Sequence, residues 1–306
     1  MKVRLLGTAA GGGFPQWNCA CANCAGVRSG TRRARRRSQS SVAVSSDGAG
    51  WFLLNASPDV RTQVESCAPL GPPSGEVRGS ALEGVLLSNA DLDHTLGLFI
   101  LREGPRLPIY ASKPIRKALE NGLGLTWVLE GYAGLEWHEP SEESQPLLTR
   151  ERKPSGLSVA FLPILGKTPR YLGPSPRIAP GESVVMRIRD EKTGGELLYA
   201  PGVSRVDEQL LGWSREATLL LLDGTFFTED EMSRSGTGDM TASRMGHHPV
   251  GGPDGSLERI RSLPVRHKVY VHINNTNPML DESSPEHAQV QKAGVQVGWD
   301  GLEFTI

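Results

Sequence analysis

The chain has 306 residues, and its 33 lysines and arginines nearly balance its 34 aspartates and glutamates. This balance argues against a general binder of nucleic acid or anionic membranes. No apolar run reaches the roughly 18 residues that span a bilayer, and the strand-like amino terminus lacks the apolar core of a signal peptide. We therefore expect a folded cytoplasmic protein without membrane insertion.

Short apolar runs bounded by turn residues predict strands along the whole chain. These are residues 3–6, 41–44, 51–54, 85–87, 159–162, 184–188, 197–199, 219–222 and 269–273. Helical spacing occurs at residues 60–66, 95–102, 115–120, 206–211, 256–263 and 286–292. Stretches rich in Pro or Gly, at residues 68–80, 139–156 and 169–181, predict surface loops. The mixture predicts a layered α/β fold with its site at strand ends and loops.

Three cysteines, Cys19, Cys21 and Cys24, lie close together in a predicted loop at about residues 11–30. Three thiolates at this spacing suit one tetrahedral zinc ion, because structural zinc sites use four thiolates or three thiolates and an imidazole. Three reduced thiols without a metal are the alternative. The spacing indicates no fourth ligand, and Cys67 is expected to be a small buried apolar residue.

A second polar group, Asn89, Asp91, Asp93 and His94, follows the predicted strand at residues 85–87. Carboxylates and an imidazole that leave one strand end can bind a divalent ion, and this mixture favours iron, manganese or zinc over calcium. A helix N-cap with solvated charges is the alternative.

A third group follows the later apolar runs and comprises Asp223, His247, His248 and His272. His272 is placed inside the predicted strand at residues 269–273, directly before the polar residues 274–277. Such a polar cluster indicates either a site or a tight hydrogen-bonded turn. We expect several strand ends to converge on one site.

A basic run also stands out, with arginines at positions 32, 33, 35, 36 and 37. Aromatic residues do not accompany it, so the run does not indicate nucleic-acid binding. A solvated loop is the favoured interpretation, and contact with an acidic substrate is the alternative.

The order of these motifs resembles the metallo-β-lactamase fold superfamily, whose signature is HxHxDH followed by later His and Asp ligands. A closer resemblance, to the pyrroloquinoline quinone (PQQ) biosynthesis protein B family, is carried by GGGFPQWNCACANC, RRRSQSSVAVS, LLNASPDVR, SNADLDHTLGL, LLDGTFF, MGHHP and HINNTNP. It implies a metallo-β-lactamase-like αββα sandwich, an α/β fold, as a single domain over residues 1–306 with the zinc loop at its amino terminus.

The chain departs from the superfamily pattern at its metal ligands. Asn89 and Asp91 replace the first two histidines of the signature, and Asn55 replaces an Asp of an earlier strand motif. Residues 199–202 stand where hydrolases of this fold carry a metal-bridging Asp. A bridging carboxylate offsets the repulsion between two cations, so its loss disfavours two-metal hydrolysis.

Members of the family look like iron-dependent hydroxylases that add oxygen to the tyrosine-derived ring of a Glu–Tyr cross-linked diamino acid. The resemblance implies Fe(II) as the active-site metal and O2 as co-substrate, beside a structural zinc ion. Asp93, His94 and His272 are implied as iron ligands, with Asp91 as a ligand or a close neighbour.

The remaining site residues are also assigned through the resemblance. Asp223 and His247 are implied as catalytic groups that transfer protons or orient the substrate. Candidates for binding the carboxylates of the substrate are Asn275, Asn277, Arg61 and Arg244.

Two other functions stay open: a carrier of PQQ or its precursor toward the periplasm, and a metal-dependent hydrolase. The expected partners are the small diamino acid or PQQ precursor and other enzymes of the pathway, and a homodimer is left open. A related cyclic-phosphate phosphodiesterase closes its Cys triad with a His at the position of Asn275. The fourth zinc ligand of this chain is therefore open.

Overall fold

The computed structural model describes residues 1–173 and 177–306, which form two compact units. Unit 1 comprises Met1–Leu6, Ser41–Glu196 and Gly301–Ile306, and unit 2 comprises Gly7–Ser40 and Leu197–Asp300. The single domain expected over residues 1–306 stays a prediction.

Both units combine strands with mostly short helices. The strands are β1 (Lys2–Gly7), β2 (Ser41–Ser45), β3 (Trp51–Leu54), β4 (Leu82–Leu86), β5 (Leu107–Tyr110), β6 (Leu135–His138), β7 (Gln145–Leu148), β8 (Pro154–Lys167), β9 (Ile178–Asp190), β10 (Glu196–Ala200), β11 (Leu219–Asp223), β12 (His267–Val271), β13 (Gln296–Val297) and β14 (Glu303–Thr305). The helices are α1 (Ala22–Ser29), α2 (Val60–Glu65), α3 (Leu92–Thr95), α4 (Gly97–Ile100), α5 (Lys113–Leu123), α6 (Leu125–Leu129), α7 (Glu208–Ser214), α8 (Glu231–Arg234), α9 (Ala242–Met245), α10 (Ser256–Ile260) and α11 (Pro285–Lys292). Short 3-10 helices occur at Ala68–Leu70, Leu101–Glu103, Arg170–Leu172 and Pro278–Leu280.

Unit 1 contains a mixed sheet in the order β14-β1-β2-β3-β4-β5-β6. Strands β3 to β6 are parallel, whereas β1–β14 and β2–β3 are antiparallel. Trp51, Phe52, Leu53 and Leu54 of β3 are all buried, as expected for a strand covered on both faces. Because β3 and β4 are parallel, their carboxyl ends reach the same edge of the sheet. The Asn89–His94 segment follows β4 at that edge.

Strands β7, β8 and β9 of unit 1 pair antiparallel in that order. The prediction of a loop over residues 139–156 is therefore wrong for residues 145–148, which form β7, and for residues 154–156, which begin β8, whereas the rest of the segment is irregular. Its strand pattern is weak since only Leu147 of β7 is fully buried. The predicted loop at residues 169–181 includes residues 174–176, which lie outside the described residues, and its last four residues belong to β9.

Unit 2 contains the parallel strands β10, β11, β12 and β13, adjacent in that order. The run Leu219–Asp223 is buried throughout, which explains why its sequence shows no alternation. Pairing of Asp223 with Val271 aligns the carboxyl ends of β11 and β12. Ligands in open α/β sheets bind beyond such ends, so this edge positions the candidate site.

Every predicted strand and helix overlaps an observed one, but the segment predicted as the zinc loop contains α1. Only Asn23, Cys24 and Gly26 of α1 are buried, so the helix has no regular apolar face to reveal it. It ends at Gly30, whose φ of 73° is the left-handed conformation that suits glycine at a helix end. Within the described residues, no helix combines the length and apolar character that crossing a bilayer requires.

Candidate functional site

His272 follows the carboxyl end of β12 in unit 2. The prediction that it lies inside a strand over residues 269–273 is wrong, because β12 ends at Val271 and His272 adopts a φ of 55°. Positive φ is uncommon outside glycine, and residues held in that region cluster at functional sites. The backbone thus leaves the sheet at His272 and turns its imidazole toward the end of β11.

Asp223, the last residue of β11, holds the imidazole of His247. The Nδ1 of His247 lies 2.7 Å from Asp223 Oδ2, which also accepts a hydrogen bond of 2.9 Å from the backbone N–H of Val203. Gly246, with a φ of 89°, ends α9 and turns the chain so that His247 reaches this carboxylate.

Burial disfavours the ionised form of Asp223, but the neighbouring groups stabilise this form by more. Burial alone would raise the pKa of Asp223, but the charge and hydrogen bond of His247, together with His272 and Thr225, lower it. Asp223 is therefore an ionised acceptor. When the imidazole of His247 is neutral, this acceptor makes Nδ1 the protonated nitrogen and leaves the lone pair on Nε2.

Thr225 fixes the tautomer of His272 in the same way. Its hydroxyl lies 2.6 Å from Asp223 Oδ1 and 2.8 Å from His272 Nδ1. A hydroxyl has one proton, and the carboxylate is the strongest acceptor nearby, so Thr225 donates to Asp223 and accepts from His272. The lone pair of His272 consequently lies on Nε2.

Asp223, His247 and His272 form a compact cluster in unit 2. One potential ligand atom from each lies within 4.8 Å of those of the other two, and the imidazole rings of His247 and His272 stack at 5.4 Å between centroids. Metal-binding imidazoles usually bond their second nitrogen to a carboxylate or another oxygen. The cluster thus fits a metal or an acid–base role.

In unit 1, Asn89 is hydrogen-bonded to His94. Its Oδ1 lies 2.7 Å from His94 Nδ1 and accepts a hydrogen bond of 3.0 Å from the backbone N–H of Asp91. This contact places the proton of His94 on Nδ1 and its lone pair on Nε2. The residue at the first histidine position therefore orients the retained imidazole.

Asp91 and Asp93 lie in intermediate exposure at the start of α3. Asp91 occupies the N-cap position, but in the described structure its side chain makes no capping hydrogen bond to α3. The helix-cap alternative is thus not observed. Asp93 Oδ2 lies 3.8 Å from His94 Nε2, so this carboxylate and this imidazole present their ligand atoms together.

The three clustered cysteines converge in unit 2, with their sulfur atoms within 4.8 Å of one another. Asn275 closes the group, because its side-chain nitrogen lies 3.2, 3.6 and 3.4 Å from the Sγ atoms of Cys19, Cys21 and Cys24. An amide oxygen and nitrogen have nearly the same shape, so rotation of this amide would present an oxygen ligand. Asn275 is thus a candidate for the fourth ligand that the sequence left open.

The cysteines differ in acidity. Burial raises the pKa of Cys24 to about 11. Burial also acts to raise the pKa of Cys21, but hydrogen bonds from the Cys24 backbone and the Cys19 side chain outweigh it and lower that pKa. A metal binds thiolates, so binding here must release protons. Cys67 is buried, as predicted.

The other predicted substrate-binding residues differ in their surroundings. Asn277 is fully buried. Its side-chain nitrogen donates hydrogen bonds to the carbonyls of Gly224 and Thr225, and its side-chain oxygen accepts one from the backbone N–H of Met279, which gives it a structural role. Arg61 and Arg244 are exposed on α2 and α9. Their roles in substrate binding, like that of Asn277, stay predictions.

Sequence reasoning did not single out several residues near the predicted site in unit 1. The hydroxyl of Tyr171 donates a hydrogen bond of 2.9 Å to the carbonyl of Ala90, and burial raises its pKa. Burial lowers the pKa of Lys167, while the charge of Asp91 acts in the opposite direction. The only sequence signal was their position, with Tyr171 inside and Lys167 just before the predicted loop at residues 169–181.

Glu231 in α8 is a buried carboxyl that the sequence also did not reveal. Thr276 Oγ1 lies 2.5 Å and the backbone N of Phe227 lies 2.6 Å from its oxygens. Burial nevertheless raises the pKa of Glu231 to about 7. Glu231 thus links α8 to the turn that carries Asn275.

The raised pKa of Glu231 predicts a pH-dependent stability. A folded-state pKa above the unfolded value of about 4.3 stabilises the fold fully below pH 4, and this contribution is lost as the pH rises through 7. Between pH 5 and 8 the free energy of unfolding should fall by up to about 3 kcal/mol more in the wild type than in Glu231→Gln. Urea unfolding at several pH values measures this, and equal slopes in both proteins would contradict it.

Comparison with known proteins identifies the family. A protein-family model described as "Beta-lactamase superfamily domain" matches residues 50–273. Coenzyme PQQ synthesis protein B of Ectopseudomonas mendocina (strain ymp) is 42% identical over 306 residues, covering 100% of both chains. The chain belongs to the coenzyme PQQ synthesis protein B family. Another member of this family, from Pseudomonas putida (strain W619), is 41% identical over 309 residues, again covering 100% of both chains.

Solved structures agree with this assignment. The crystal structure of Zn²⁺-bound PqqB from Methylobacterium extorquens is 40% identical, covers 100% of both chains and superimposes with a TM-score of 0.91. A diphosphatase of the PhnP family is 20% identical with a TM-score of 0.67, over 100% of this chain and 97% of that one, and shows the shared fold alone. The predicted family and the metallo-β-lactamase-like α/β sandwich are thus confirmed.

Proposed function

We propose that this chain acts in PQQ biosynthesis as a non-haem Fe(II)-dependent oxygenase. Its substrate would be the Glu–Tyr cross-linked diamino acid, and its product would carry a new hydroxyl group on the tyrosine-derived ring. The single observation that carries the proposal is the pair of histidines, His247 and His272, whose Nδ1 positions are fixed by Asp223 and Thr225. The names of the relatives support the pathway.

The proposed iron ligands are those of the sequence-based set: Asp93, His94 and His272, with Asp91 as a ligand or close neighbour. Carboxylate and imidazole donors of this kind suit Fe(II) and leave positions for other molecules. The tautomers of His94 and His272 fit this role. Asn89 and Thr225 hydrogen-bond their Nδ1 atoms, so the lone pair of each ring lies on Nε2, where a metal would bind. Bound Fe(II) supplies the one-electron chemistry for activating O2, which zinc lacks.

His247 is proposed to accept the phenolic proton of the substrate. Its Nδ1–H is held by Asp223, so Nε2 is the nitrogen that can take up a proton, and the carboxylate stabilises the imidazolium that results. Insertion of one oxygen atom from O2 also requires two electrons and two protons to convert the other atom to water. A two-electron reductant must therefore take part.

The test uses protein purified without oxygen and loaded with Fe(II). The diamino acid, ascorbate as the reductant and ¹⁸O2 are added, and the product is analysed by mass spectrometry. Gain of one ¹⁸O atom per hydroxylation is expected with iron and none with zinc. If iron-loaded protein gives no oxygenated product yet binds PQQ tightly in isothermal titration, the carrier function is favoured instead.

The cysteine cluster is proposed to hold a structural zinc ion. The proposal is supported by the three sulfur atoms, which lie within 4.8 Å of one another, and by the amide nitrogen of Asn275, which lies within 3.6 Å of each of them. Such an ion would fix α1 and the turn at Asn275, segments held together otherwise by polar contacts such as the hydrogen bond of 3.1 Å from Asn23 to the Asn275 carbonyl.

A Thr225→Val variant tests how the metal centre is oriented. It keeps the shape of the side chain but removes the acceptor for His272 Nδ1, so the affinity for Fe(II) should fall by about 10- to 100-fold. Titration of the metal-free protein with Fe(II) under nitrogen measures this. Thr276→Val is the matched control, because Thr276 bonds Glu231 and no imidazole. Equal iron affinities for the two variants would contradict the assigned role.

A further inference from the structure

A groove of about 460 Å³ lies in unit 2 and shares no residue with the histidine cluster or the cysteine cluster. Its lining includes Arg33, Arg35, Arg37, Glu282 and Trp299, and we call it the arginine groove. The first three of these belong to the basic run, for which a solvated loop was the favoured interpretation. The proposed oxygenase function does not use the groove.

The spacing of the arginines explains how they share one surface. The backbone of Arg37 pairs antiparallel with Phe14 through hydrogen bonds of 2.7 and 2.8 Å, which fixes this end of the run. Alternate side chains of extended backbone point to the same side. The arginines at alternate positions, Arg33, Arg35 and Arg37, line the groove, whereas Arg36 is exposed and does not line it.

Arg37 is a buried cation, only 5% exposed. Its guanidinium donates to the hydroxyl of Thr8 at 3.2 Å and to the carbonyl of Gly298. Among the residues that the structure describes, Nε of Arg37 has no hydrogen-bond partner and no carboxylate forms an ion pair with the group. A buried charge without a counterion is costly, so the site favours an anion.

Asp300, a candidate counterion for Arg37, is already engaged elsewhere. Asp300 accepts hydrogen bonds from Thr8 at 2.7 Å and from the backbone N–H of Ser38 at 2.6 Å. Burial raises the pKa of Asp300 and lowers the pKa of Arg37 to about 10, which the charge of Asp300 only partly offsets. Arg37 thus remains without a direct carboxylate partner within the described residues.

The other two arginines share a single carboxylate. Glu282 lies 3.2 Å from Arg33 and 2.9 Å from Arg35, and the guanidinium of Arg35 also lies over the ring of Trp299 at 4.8 Å. The groove therefore presents three guanidinium groups against one carboxylate, an excess of two positive charges. Glu282 occupies part of the cationic surface that an incoming anion would use.

We propose that the arginine groove binds an oxyanion of a small molecule, a carboxylate or a phosphate, between Arg35 and Arg37. Guanidinium groups bind both kinds of oxyanion through paired hydrogen bonds. The anion would supply the counterion that Arg37 lacks and would compete with Glu282 for Arg35. The flat ring of Trp299 bounds the site beside Arg35.

Isothermal titration at low ionic strength tests the proposal with two probes, citrate and inorganic phosphate. Arg35→Gln should weaken binding of the anion by about tenfold, whereas the matched control Arg36→Gln should leave it unchanged. Glu282→Gln should strengthen binding several-fold because it removes the competing carboxylate. Arg37→Gln should abolish binding. If Arg37→Gln does not fold, the two other single variants, Arg35→Gln and Glu282→Gln, still decide the test.

These outcomes distinguish a specific anion-binding site from nonspecific electrostatic attraction of anions. Binding of citrate alone or of phosphate alone supports the site and identifies the oxyanion it prefers. Equal losses in Arg35→Gln and Arg36→Gln would overturn the proposal, because they would show a diffuse electrostatic effect. So would failure of the wild type and of Glu282→Gln to bind either probe at millimolar concentration.

Discussion

An Asp223→Asn variant is expected to turn over about a thousandfold more slowly than the wild type, with unchanged metal content. Both oxygens of Asp223 accept hydrogen bonds, from His247 Nδ1 at 2.7 Å and from the Thr225 hydroxyl at 2.6 Å. An asparagine presents an NH2 group to one of these donors. When this NH2 group faces the imidazole, Nδ1 of His247 must accept its hydrogen bond. The proton of His247 then lies on Nε2, and the proposed base is lost.

Steady-state kinetics of the oxygenation measure this effect, which should lie in kcat rather than in KM. The ¹⁵N chemical shifts of the His247 ring report the change of tautomer, which a merely structural role of Asp223 would not produce. The free energy of unfolding should fall by only about 1–3 kcal/mol, the cost of a poorly paired buried group. His248→Gln, next in the chain, should keep normal turnover, and normal kcat in Asp223→Asn would exclude His247 as the base.

The strand-end positions of the site could be predicted from the sequence because their signal is local. Asp223 follows a run of four leucines, and His272 follows the apolar run of β12. Parallel strands end at the same edge, so polar residues placed after such runs meet. The register that pairs Asp223 with Val271 then sets the distance between them.

The supporting residues could not be predicted, because their roles depend on side-chain contacts between distant parts of the chain. Asn89 was interpreted only as a lost histidine, yet it orients His94. Thr225 bridges Asp223, the last residue of β11, and His272, which follows the end of β12. Nothing in the spacing of a threonine or an asparagine indicates which way its hydrogen bonds run.

Short elements were missed for a different reason. Helix α1 and the strand β7 bury too few side chains to impose a regular pattern on the sequence. Strands β13 and β14 have only two and three residues. Such elements form because neighbouring segments pair with them, so their cause lies in tertiary structure rather than in local propensity.

A Cys21→Ser variant is expected to lose one equivalent of zinc per chain while the active-site metal is retained. The proposed zinc ion would be held by three thiolates, and a serine hydroxyl is a poor substitute for one of them. Because the zinc binding energy would stabilise α1 and the turn at Asn275, the free energy of unfolding should fall by more than about 4 kcal/mol. Elemental analysis of the purified protein and denaturant unfolding measure both effects.

Two further variants show whether the cluster acts as a metal site. Cys67→Ala removes a buried thiol outside the cluster, so it should leave the zinc content unchanged. Asn275→His should bind zinc more tightly than the wild type, because it completes a set of three thiolates and one imidazole. Loss of both metals in Cys21→Ser, or of neither, would contradict a separate structural zinc. Weaker zinc binding in Asn275→His would show that position 275 does not face the ion.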